Sequence, residues 1–180
     1  MKKRAIFLDR DDTLIVNIPY LGDASQVTLI SGAIEAVQYW KSEGWLLVLV
    51  SNQSGVGRGL ITKEQVAEVN REMYRQLGID EFDGEYMCYA APGDPYGSEE
   101  RKPSPIMLQQ AAEEMGIDLA ASYMIGDKDI DVECGHNAGC KSIFVLTGQP
   151  GDGQELAKNQ ADFVAENVGQ AADWVREQSE

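Results

Sequence analysis

Five short apolar runs recur along the chain and are separated by longer stretches with a helical pattern. We predict the runs to be strands, and they are AIFL (5–8), WLLVLV (45–50), EYMCYA (85–90), YMI (123–125) and SIFVL (142–146). WLLVLV has no alternation of apolar and polar positions, which is typical of a parallel strand covered on both faces. The pattern therefore favours a sheet that is buried between helices.

The intervening stretches place apolar residues three and four positions apart, as amphipathic helices do. In the first stretch Ile34, Val37 and Trp40 share one face, and Gly44 is a natural stop. The first three predicted helices cover 33–43, a segment from the capping box at 62–65 to about 77, and a segment from Ser104-Pro105 to about 115. A short helix follows from about 130. Two small helices, 155–160 and 167–177, lie on either side of DFVA (162–165). This alternation predicts a Rossmann-like α/β fold, a three-layer sandwich around a central parallel sheet, with residues 1–180 forming a single domain.

Three polar clusters directly follow predicted strands. They are Asp9–Thr13 after AIFL, Ser51–Gln53 after WLLVLV and Gly126–Lys128 after YMI. Open parallel sheets bind ligands outside the carboxyl ends of their strands. We therefore expect the three clusters to converge in one crevice.

The first cluster holds two carboxylates that can face one small volume. Asp9 and Asp11 are two residues apart, and such positions point the same way on an extended backbone. Their repulsion is relieved by a hard divalent cation, and Mg²⁺ takes one or two carboxylates together with phosphate oxygens. Asp127 can complete such a site, and Asp131 can support it from one helical turn later.

Hydrogen-bond donors and positive charges accompany the carboxylates. Ser51 offers a hydroxyl and Asn52 an amide, while the irregular loop 91–105 delivers Arg101 and Lys102. A metal, a lysine and several donors together suit a phosphoryl group. A carboxylate that attacks phosphorus forms an aspartyl-phosphate, so these residues indicate phosphoryl transfer.

Composition narrows the choice of partner. The 180 residues include 15 Lys and Arg against 30 Asp and Glu, a net charge of −15. Binding to a nucleic-acid backbone needs basic patches, so we expect a small phosphorylated metabolite instead. No stretch has the length of a membrane span, and the first apolar run ends in aspartates rather than in a cleavage signal. We expect a cytoplasmic monomer with no membrane partner.

Four ordered motifs resemble the haloacid dehalogenase (HAD) phosphohydrolases: DxDxT after the first strand, Ser after the second apolar run, Lys before a helix, and GDxxxD after a later strand. The resemblance implies that Asp9 is the nucleophile and Asp11 the general acid and base. It implies that Asp9, the Asp11 carbonyl and Asp127 bind Mg²⁺, with Asp131 in support. Ser51 and Lys102 would position the phosphate.

A narrower resemblance is to the D-glycero-D-manno-heptose 1,7-bisphosphate 7-phosphatases and the histidinol-phosphate phosphatases, through FLDRDDT, SNQSGVGRG, RKPSP and AASYMIGDK. It implies a substrate pocket without a large cap domain, with a flap over residues 17–26. Arg101 would join Lys102 on the phosphoryl group. The substrate-binding residues would be Asn52, Gln53, Ser54, Lys128 and, as a further candidate, Arg58.

Two departures from that group stand out. Asp12 occupies a position that is usually Gly, and we expect Arg10 and Asp12 to turn outward and hold the turn. Many members carry a zinc loop before RKP, but here only Cys88 remains, so we predict no structural zinc. We interpret the CGHNAGC segment at 134–140 as structural, because its histidine and cysteines fall on a helix and at the start of a strand.

Three functions stay open at this point. A heptose 1,7-bisphosphate phosphatase is the leading one, and a phosphatase for histidinol phosphate or another small ester is the alternative. The third is a HAD-like binding protein with a degenerate site, which the complete set of predicted catalytic residues disfavours. A polynucleotide 3′-phosphatase is disfavoured by the net charge of −15.

Overall fold

Six parallel strands form the centre of the molecule. A computed structural model describes residues 3–94, 99–151 and 153–178 of the chain. The strands are β1 (Ala5–Leu8), β2 (Leu46–Asn52), β3 (Gly84–Cys88), β4 (Tyr123–Gly126), β5 (Lys141–Val145) and β6 (Phe163–Ala165). Their order in the sheet is β3-β2-β1-β4-β5-β6, and every neighbouring pair is parallel.

Seven helices connect and cover the strands in the described ranges. They are α1 (Ala33–Ser42), α2 (Ser54–Gly57), α3 (Lys63–Leu77), α4 (Ile106–Met115), α5 (Asp129–Ala138), α6 (Gln154–Gln160) and α7 (Val168–Glu177), with short three-ten turns at Ala24–Gln26 and Leu119–Ala121. Among the residues described here, no helix combines the length and the apolar character needed to cross a bilayer.

The two faces of the sheet pack against different helices. Side chains of β1 alternate, so that Ile6 and Leu8 join a core cluster with α1, α3 and α7. Ala5 and Phe7 join a second cluster with α4 and α5. A small third cluster joins α6 to α5 and β5. The predicted three-layer α/β sandwich is confirmed.

The predicted elements agree with the structure apart from local differences. Ile34 is 39% exposed, and the buried face of α1 instead consists of Ala33, Ala36, Val37 and Trp40. Helix α4 begins at Ile106, one residue beyond the predicted first position, because Pro105 is its N-cap. The capping box at Thr62 and Gln65 forms as predicted. The short helix α2 had no periodic signal and was not predicted.

Strand order explains why the polar clusters meet. Strand β1 pairs with β2 on one side and with β4 on the other, and the chain passes to the opposite face of the sheet between β3 and β4. The loops after β1 and β4 therefore leave in different directions and open a crevice between them. In the described parts of the segments 9–32 and 89–105, which follow β1 and β3, there is no helix of four residues or more. Residues 95–98 of the predicted loop 91–105 lie outside the described part of the chain.

Helix α5 lies unusually close to the sheet at Gly135. A Cβ built on this residue would stand 2.2 Å from Ser142 Oγ and 2.7 Å from Met124 Cβ. The Ser142 hydroxyl donates a 2.8 Å hydrogen bond to the Val132 carbonyl, which also ties β5 to α5. The absence of a side chain at Gly135 thus lets α5, which carries Asp131, dock on β4 and β5.

We expect Gly135→Ala to lower the free energy of unfolding by about 1–3 kcal/mol, because the added methyl group must push the helix off the sheet. Urea denaturation measures the effect. Glu133→Ala, at an exposed position of the same helix, is the matched control. Equal stability of the two variants would contradict the close packing described here.

Candidate active site

Asp9 is the first residue after β1 and lies at the bottom of the crevice. Its backbone amide donates to the Ile125 carbonyl at 3.0 Å, which fixes it beside the end of β4. Burial by itself would raise the pKa of its carboxyl group, but Lys102 and Lys128 hold the pKa below the ordinary value. Asp9 is therefore a carboxylate at neutral pH, as a nucleophile must be.

Lys102 carries the buried positive charge of the site. Its Nζ lies 2.7 Å from Asp9 Oδ1, 2.6 Å from Asp131 Oδ1 and 3.0 Å from the Val50 carbonyl. Burial would lower the pKa of this amine, but the Asp131 and Asp9 carboxylates raise it above its usual value. The ammonium ion thus joins the segment after β1 to helix α5.

The backbone of Lys102 is also held in place, by the side chain of Asn52 at the end of β2. Asn52 Oδ1 accepts from the Lys102 amide at 3.1 Å, and Asn52 Nδ2 donates to the Lys102 carbonyl at 3.4 Å. The loop before α4 is thereby tied to β2. This clamp holds a residue of a long irregular loop where its side chain contacts Asp9.

Asp9, Asp127 and Asp131 form a cluster of carboxylates suited to a cation. One oxygen of each lies within 4.8 Å of the others, and all three residues are buried. Asp127 Oδ1 is buried and has no hydrogen-bond partner among the described residues. Burial and the Asp9 carboxylate raise the pKa of Asp127 to about 8. Lys102 contacts Asp9 and Asp131 but not Asp127, and a hard divalent cation would supply further positive charge to the cluster.

Two glycines shape the walls around this cluster. A Cβ on Gly126 would lie 2.3 Å from the carboxyl carbon of Asp131, and a Cβ on Gly148 would lie 2.4 Å from Asp127 Oδ2. The first glycine lets the Asp131 side chain fold back over the end of β4. From that position Asp131 Oδ2 also accepts from the Lys128 amide at 3.1 Å. Asp131 thus supports the site through Lys102 and through the start of α5.

Asp11 lies beside the Ser51–Gln53 segment. Gln53 Nε2 donates to Asp11 Oδ2 at 2.7 Å and to Ser51 Oγ at 2.9 Å. Because the Ser51 oxygen accepts a hydrogen bond, its own proton is available to an anion in the crevice. Gln53 therefore links the two groups that the sequence assigned to proton transfer and to phosphate positioning.

The prediction that Arg10 and Asp12 turn outward is wrong. Arg10 is only 1% exposed, and its guanidinium contacts Asp11. Asp12 is 4% exposed; its carboxylate accepts from the Asn17 amide at 3.1 Å and its carbonyl accepts from the Thr147 hydroxyl. Strand alternation fails here because β1 ends at Leu8 and the backbone then turns.

The backbone at Asp12 adopts a left-handed conformation, with φ of +58°. Glycine tolerates this region freely, which gives a physical reason for glycine at this position in the related phosphatases. Aspartate is one of the few other residues that enters the region at modest cost. The replacement is therefore compatible with the turn that follows Asp9.

A cleft of about 180 Å³ opens beside Asp11. One wall is the flap segment 17–21, and the other is formed by residues 52–55, so the predicted pocket residues Asn52, Gln53 and Ser54 do line it together with Lys128. Tyr20 of the flap packs against Gly55, where a Cβ would stand 2.8 Å from the tyrosine ring. A second depression of about 170 Å³ continues past Lys128 toward Asp127 and Gln149.

Two predicted site residues are not brought into this cleft. Arg58 is exposed at the C-terminal end of α2 and does not line it. Arg101 donates from Nη1 to the Ala90 carbonyl at 3.3 Å, so its guanidinium is engaged with the β3–α4 loop. Their contacts with substrate stay predictions.

The cysteines and the histidine have structural surroundings. Cys88, Cys134 and Cys140 are buried thiols in the core cluster that packs α4 and α5 on the sheet. His136 Nε2 is 3.0 Å from Asp162 Oδ2 at the surface. Neither arrangement gathers a set of metal ligands in the part of the chain that the structure describes.

Sequence reasoning missed Asn70 and Thr147. Asn70 Oδ1 accepts from Arg10 Nη1 at 3.0 Å, and Thr147 holds the Asp12 carbonyl. Asn70 did leave a signal, because it is a polar residue between the inward-facing Val69 and Met73 of α3. Thr147 left none, since the contact joins residues far apart in the chain.

Comparison with known proteins gives concordant results. The HAD-hydrolase-like family profile matches residues 100–171. The D-glycero-beta-D-manno-heptose-1,7-bisphosphate 7-phosphatase of Pasteurella multocida (strain Pm70) is 41% identical over 177 residues, covering 92% of this chain and 93% of that protein. The enzyme of the same name from Escherichia coli (strain K12) is 37% identical over 187 residues, covering 97% and 94%.

A solved structure matches as well. The D,D-heptose 1,7-bisphosphate phosphatase of B. bronchiseptica, complexed with magnesium and phosphate, superimposes with a TM-score of 0.85 at 26% identity, covering 97% of this chain and 99% of that one. The parallel sheet, the Asp9 crevice and these matches define a phosphatase of the HAD class. Within that class, the chain belongs to the family of the heptose 1,7-bisphosphate 7-phosphatases.

The two lysines of the site should differ in their contribution to stability. We expect Lys102→Met to lower the free energy of unfolding by about 3–5 kcal/mol, since it leaves Asp9 and Asp131 buried without their cation. Lys128→Met is the matched control, because that side chain is half exposed and its Nζ lies 4.0 Å from Asp127 Oδ2. Its loss should change the free energy of unfolding by less than about 1 kcal/mol. Urea denaturation in EDTA measures both. Equal losses would show that Lys102 is not the buried counter-charge of the site.

Proposed function

We propose that this chain removes the 7-phosphate of D-glycero-D-manno-heptose 1,7-bisphosphate by way of a phosphorylated Asp9, with Mg²⁺ as cofactor. The observation that carries the proposal is the convergence of Asp9, Lys102 and Asp127 at the switch between β1 and β4. The relatives named above are called phosphatases of this substrate, and one of them is described with magnesium and phosphate bound. A catalytically inactive binding protein is the less favoured alternative, because Asp9, Lys102 and the acidic cluster lie together.

The donor set fits Mg²⁺. Asp9 and Asp127 would hold it with carboxylate oxygens and Asp11 with its backbone carbonyl, while Asp131 supports the site through Lys102. The unpartnered Asp127 Oδ1 and the raised pKa of Asp127 both mark a place where positive charge is missing. When bound, Mg²⁺ would neutralise the carboxylates and withdraw charge from the phosphoryl oxygens.

In the first half of the reaction an Asp9 carboxylate oxygen attacks phosphorus. The bond from phosphorus to the sugar oxygen breaks as the bond to Asp9 forms, and the protonated Asp11 carboxyl group gives its proton to the departing oxygen. Lys102 is 2.7 Å from Asp9 and can stabilise the phosphoryl charge, together with the Ser51 hydroxyl. Arg101 would add a further positive charge from the β3–α4 loop.

In the second half water hydrolyses the aspartyl-phosphate. Asp11, now a carboxylate, takes a proton from the water, whose oxygen forms the new bond to phosphorus as the bond to Asp9 breaks. Phosphate leaves, and Asp9 returns as a carboxylate while Asp11 is protonated again. Gln53, which donates to Asp11 Oδ2, would orient that group in both halves.

Substrate recognition would fall to the cleft beside Asp11. Asn52, Gln53, Ser54 and Lys128 line it, and Arg58 would extend the contact at the surface. Histidinol phosphate or another small ester is the alternative substrate, and we favour the bisphosphate because of the names of the relatives. We further propose that the chain is a cytoplasmic monomer of one domain that needs no structural zinc and no nucleic-acid or membrane partner. The net charge of −15 supports the exclusion of nucleic acid.

We expect Asp9→Ala to lower kcat by at least about 1,000-fold, because the group that forms the covalent intermediate is gone. Phosphate release from the best substrate is the measurement. Asp173→Asn, at an exposed acidic position on α7, is the control and should keep full activity. Normal turnover by the Asp9 variant in a clean preparation would refute its role as nucleophile.

The substrate assignment is tested by a phosphate-release screen in Mg²⁺ over the two anomers of heptose 1,7-bisphosphate, other sugar bisphosphates, histidinol phosphate and 3′-phosphorylated DNA, with EDTA as a parallel arm. We expect strong preference for one heptose bisphosphate and loss of activity in EDTA that Mg²⁺ restores. Preference for histidinol phosphate would replace the substrate while keeping the chemistry. Activity unaffected by EDTA would contradict the proposed metal dependence.

A further inference from the structure

A line of polar side chains runs from Asp11 through the protein to the edge of the sheet. Arg10 Nη2 donates to both carboxylate oxygens of Asp11, at 3.1 and 3.2 Å. Arg10 Nη1 donates to Asn70 Oδ1 at 3.0 Å, which connects the turn after β1 to helix α3. Arg10 is 1% exposed and Asn70 is 2% exposed, so solvent does not satisfy either group.

The line continues from Asn70 to the edge strand β3. Asn70 Nδ2 donates to Glu85 Oε2 at 3.2 Å, and the Tyr74 hydroxyl donates to Glu85 Oε1 at 2.5 Å. Because Glu85 fixes the Asn70 amide group by accepting from its nitrogen, the Asn70 oxygen is left facing Arg10. We call Arg10, Asn70, Tyr74 and Glu85 the positioning chain.

The arrangement restrains the Asp11 carboxylate from two directions. The planar guanidinium of Arg10 contacts both carboxylate oxygens. Two contacts fix the plane of the carboxylate, whereas a single hydrogen bond would leave it free to rotate. Gln53 Nε2 contacts Oδ2 from the β2 side at 2.7 Å. The desolvation cost of the buried guanidinium is offset by its hydrogen bonds to Asp11 and Asn70, so these contacts also hold Arg10 in place.

We propose that the positioning chain holds Asp11 in the orientation from which it protonates the leaving oxygen. Arg10 acts as a positioning residue, and Asn70 with Glu85 and Tyr74 fixes Arg10. This inference rests on the proposed role of Asp11 as general acid. It goes further by assigning a part in the reaction to residues of α3 and β3 that neither line the cleft beside Asp11 nor belong to the acidic cluster.

Leaving-group chemistry separates such a role from a structural one. An alkyl oxygen needs a proton to depart, whereas 4-nitrophenolate departs readily without one. The ratio kcat/KM reports the steps up to departure of the leaving group. Loss of Asp11 positioning should therefore lower kcat/KM for an alkyl phosphate and leave kcat/KM for 4-nitrophenyl phosphate nearly unchanged.

The experiment compares the full-length wild type and Asn70→Ala on two esters. The first is heptose 1,7-bisphosphate, or the alkyl phosphate that the wild type hydrolyses fastest in the screen above, and the second is 4-nitrophenyl phosphate. We expect Asn70→Ala to lower kcat/KM about 10- to 100-fold for the alkyl ester and less than about threefold for the aryl ester. Arg10→Lys, which keeps the charge but loses the fork, should show the same selectivity.

Arg71→Ala is the control, since Arg71 neighbours Asn70 on α3 but is exposed. Circular dichroism verifies folding, and Tyr74→Phe, which removes a single oxygen atom, replaces Asn70→Ala if that variant does not fold. Equal losses on both esters, or no loss on either, would overturn the inference. A wild type that hydrolyses neither ester would instead overturn the proposed function and this inference with it.

Discussion

The site depends on how buried charge is balanced around Lys102. Asp9, Asp127 and Asp131 are buried together, and the Lys102 ammonium is the buried cation that contacts two of them. Burial and the Asp9 carboxylate raise the pKa of Asp127, which Lys102 does not contact, and burial keeps the pKa of Asp131 raised even though Lys102 contacts it. Lys102 and Lys128 lower the pKa of Asp9, so that the proposed nucleophile is the ionised carboxylate of the cluster. The remaining deficit of positive charge falls at Asp127, where the cation is proposed to bind.

Parallel topology converts this balance into a defined geometry. Asp9 and Asp127 follow adjacent strands, and the Asp9 amide donates a hydrogen bond to the carbonyl of Ile125 in β4, two residues before Asp127. Lys102 comes from a loop that has no such constraint, but Asn52 at the end of β2 clamps its backbone. Asp9 and Asp127 are thus attached directly to strand ends, and Lys102 is held by a residue at a strand end. Small changes elsewhere in the loops need not disturb the distances among them.

The sequence predicted the parts of the site that depend on local order. Asp9 and Asp127 could be placed because strands of apolar residues end directly before them, and parallel sheets bind ligands at that edge. Arg10 could not be placed, since alternation holds only while the chain is extended and the turn begins right after Leu8. The helical pattern marks Asn70 as a polar residue on a buried face, but its contact with Arg10 and that of Thr147 with Asp12 join distant parts of the chain, which periodicity does not encode. The partners of Arg101 and Arg58 were likewise beyond prediction, because both side chains lie on irregular or surface segments.

Chemistry and substrate recognition are located on different parts of the molecule. The groups proposed to transfer the phosphoryl group lie at strand ends, whereas the cleft walls belong to the flap 17–21 and to the short helix α2 with the residues before it. Three cleft residues connect the two parts: Gln53 donates to Asp11 and Ser51, Asn52 clamps the Lys102 backbone, and Lys128 lowers the pKa of Asp9. A substrate that displaced Gln53 would alter the environment of the general acid. Recognition and proton transfer are therefore coupled at Gln53, while Asn52 and Lys128 couple the cleft wall to Lys102 and to Asp9.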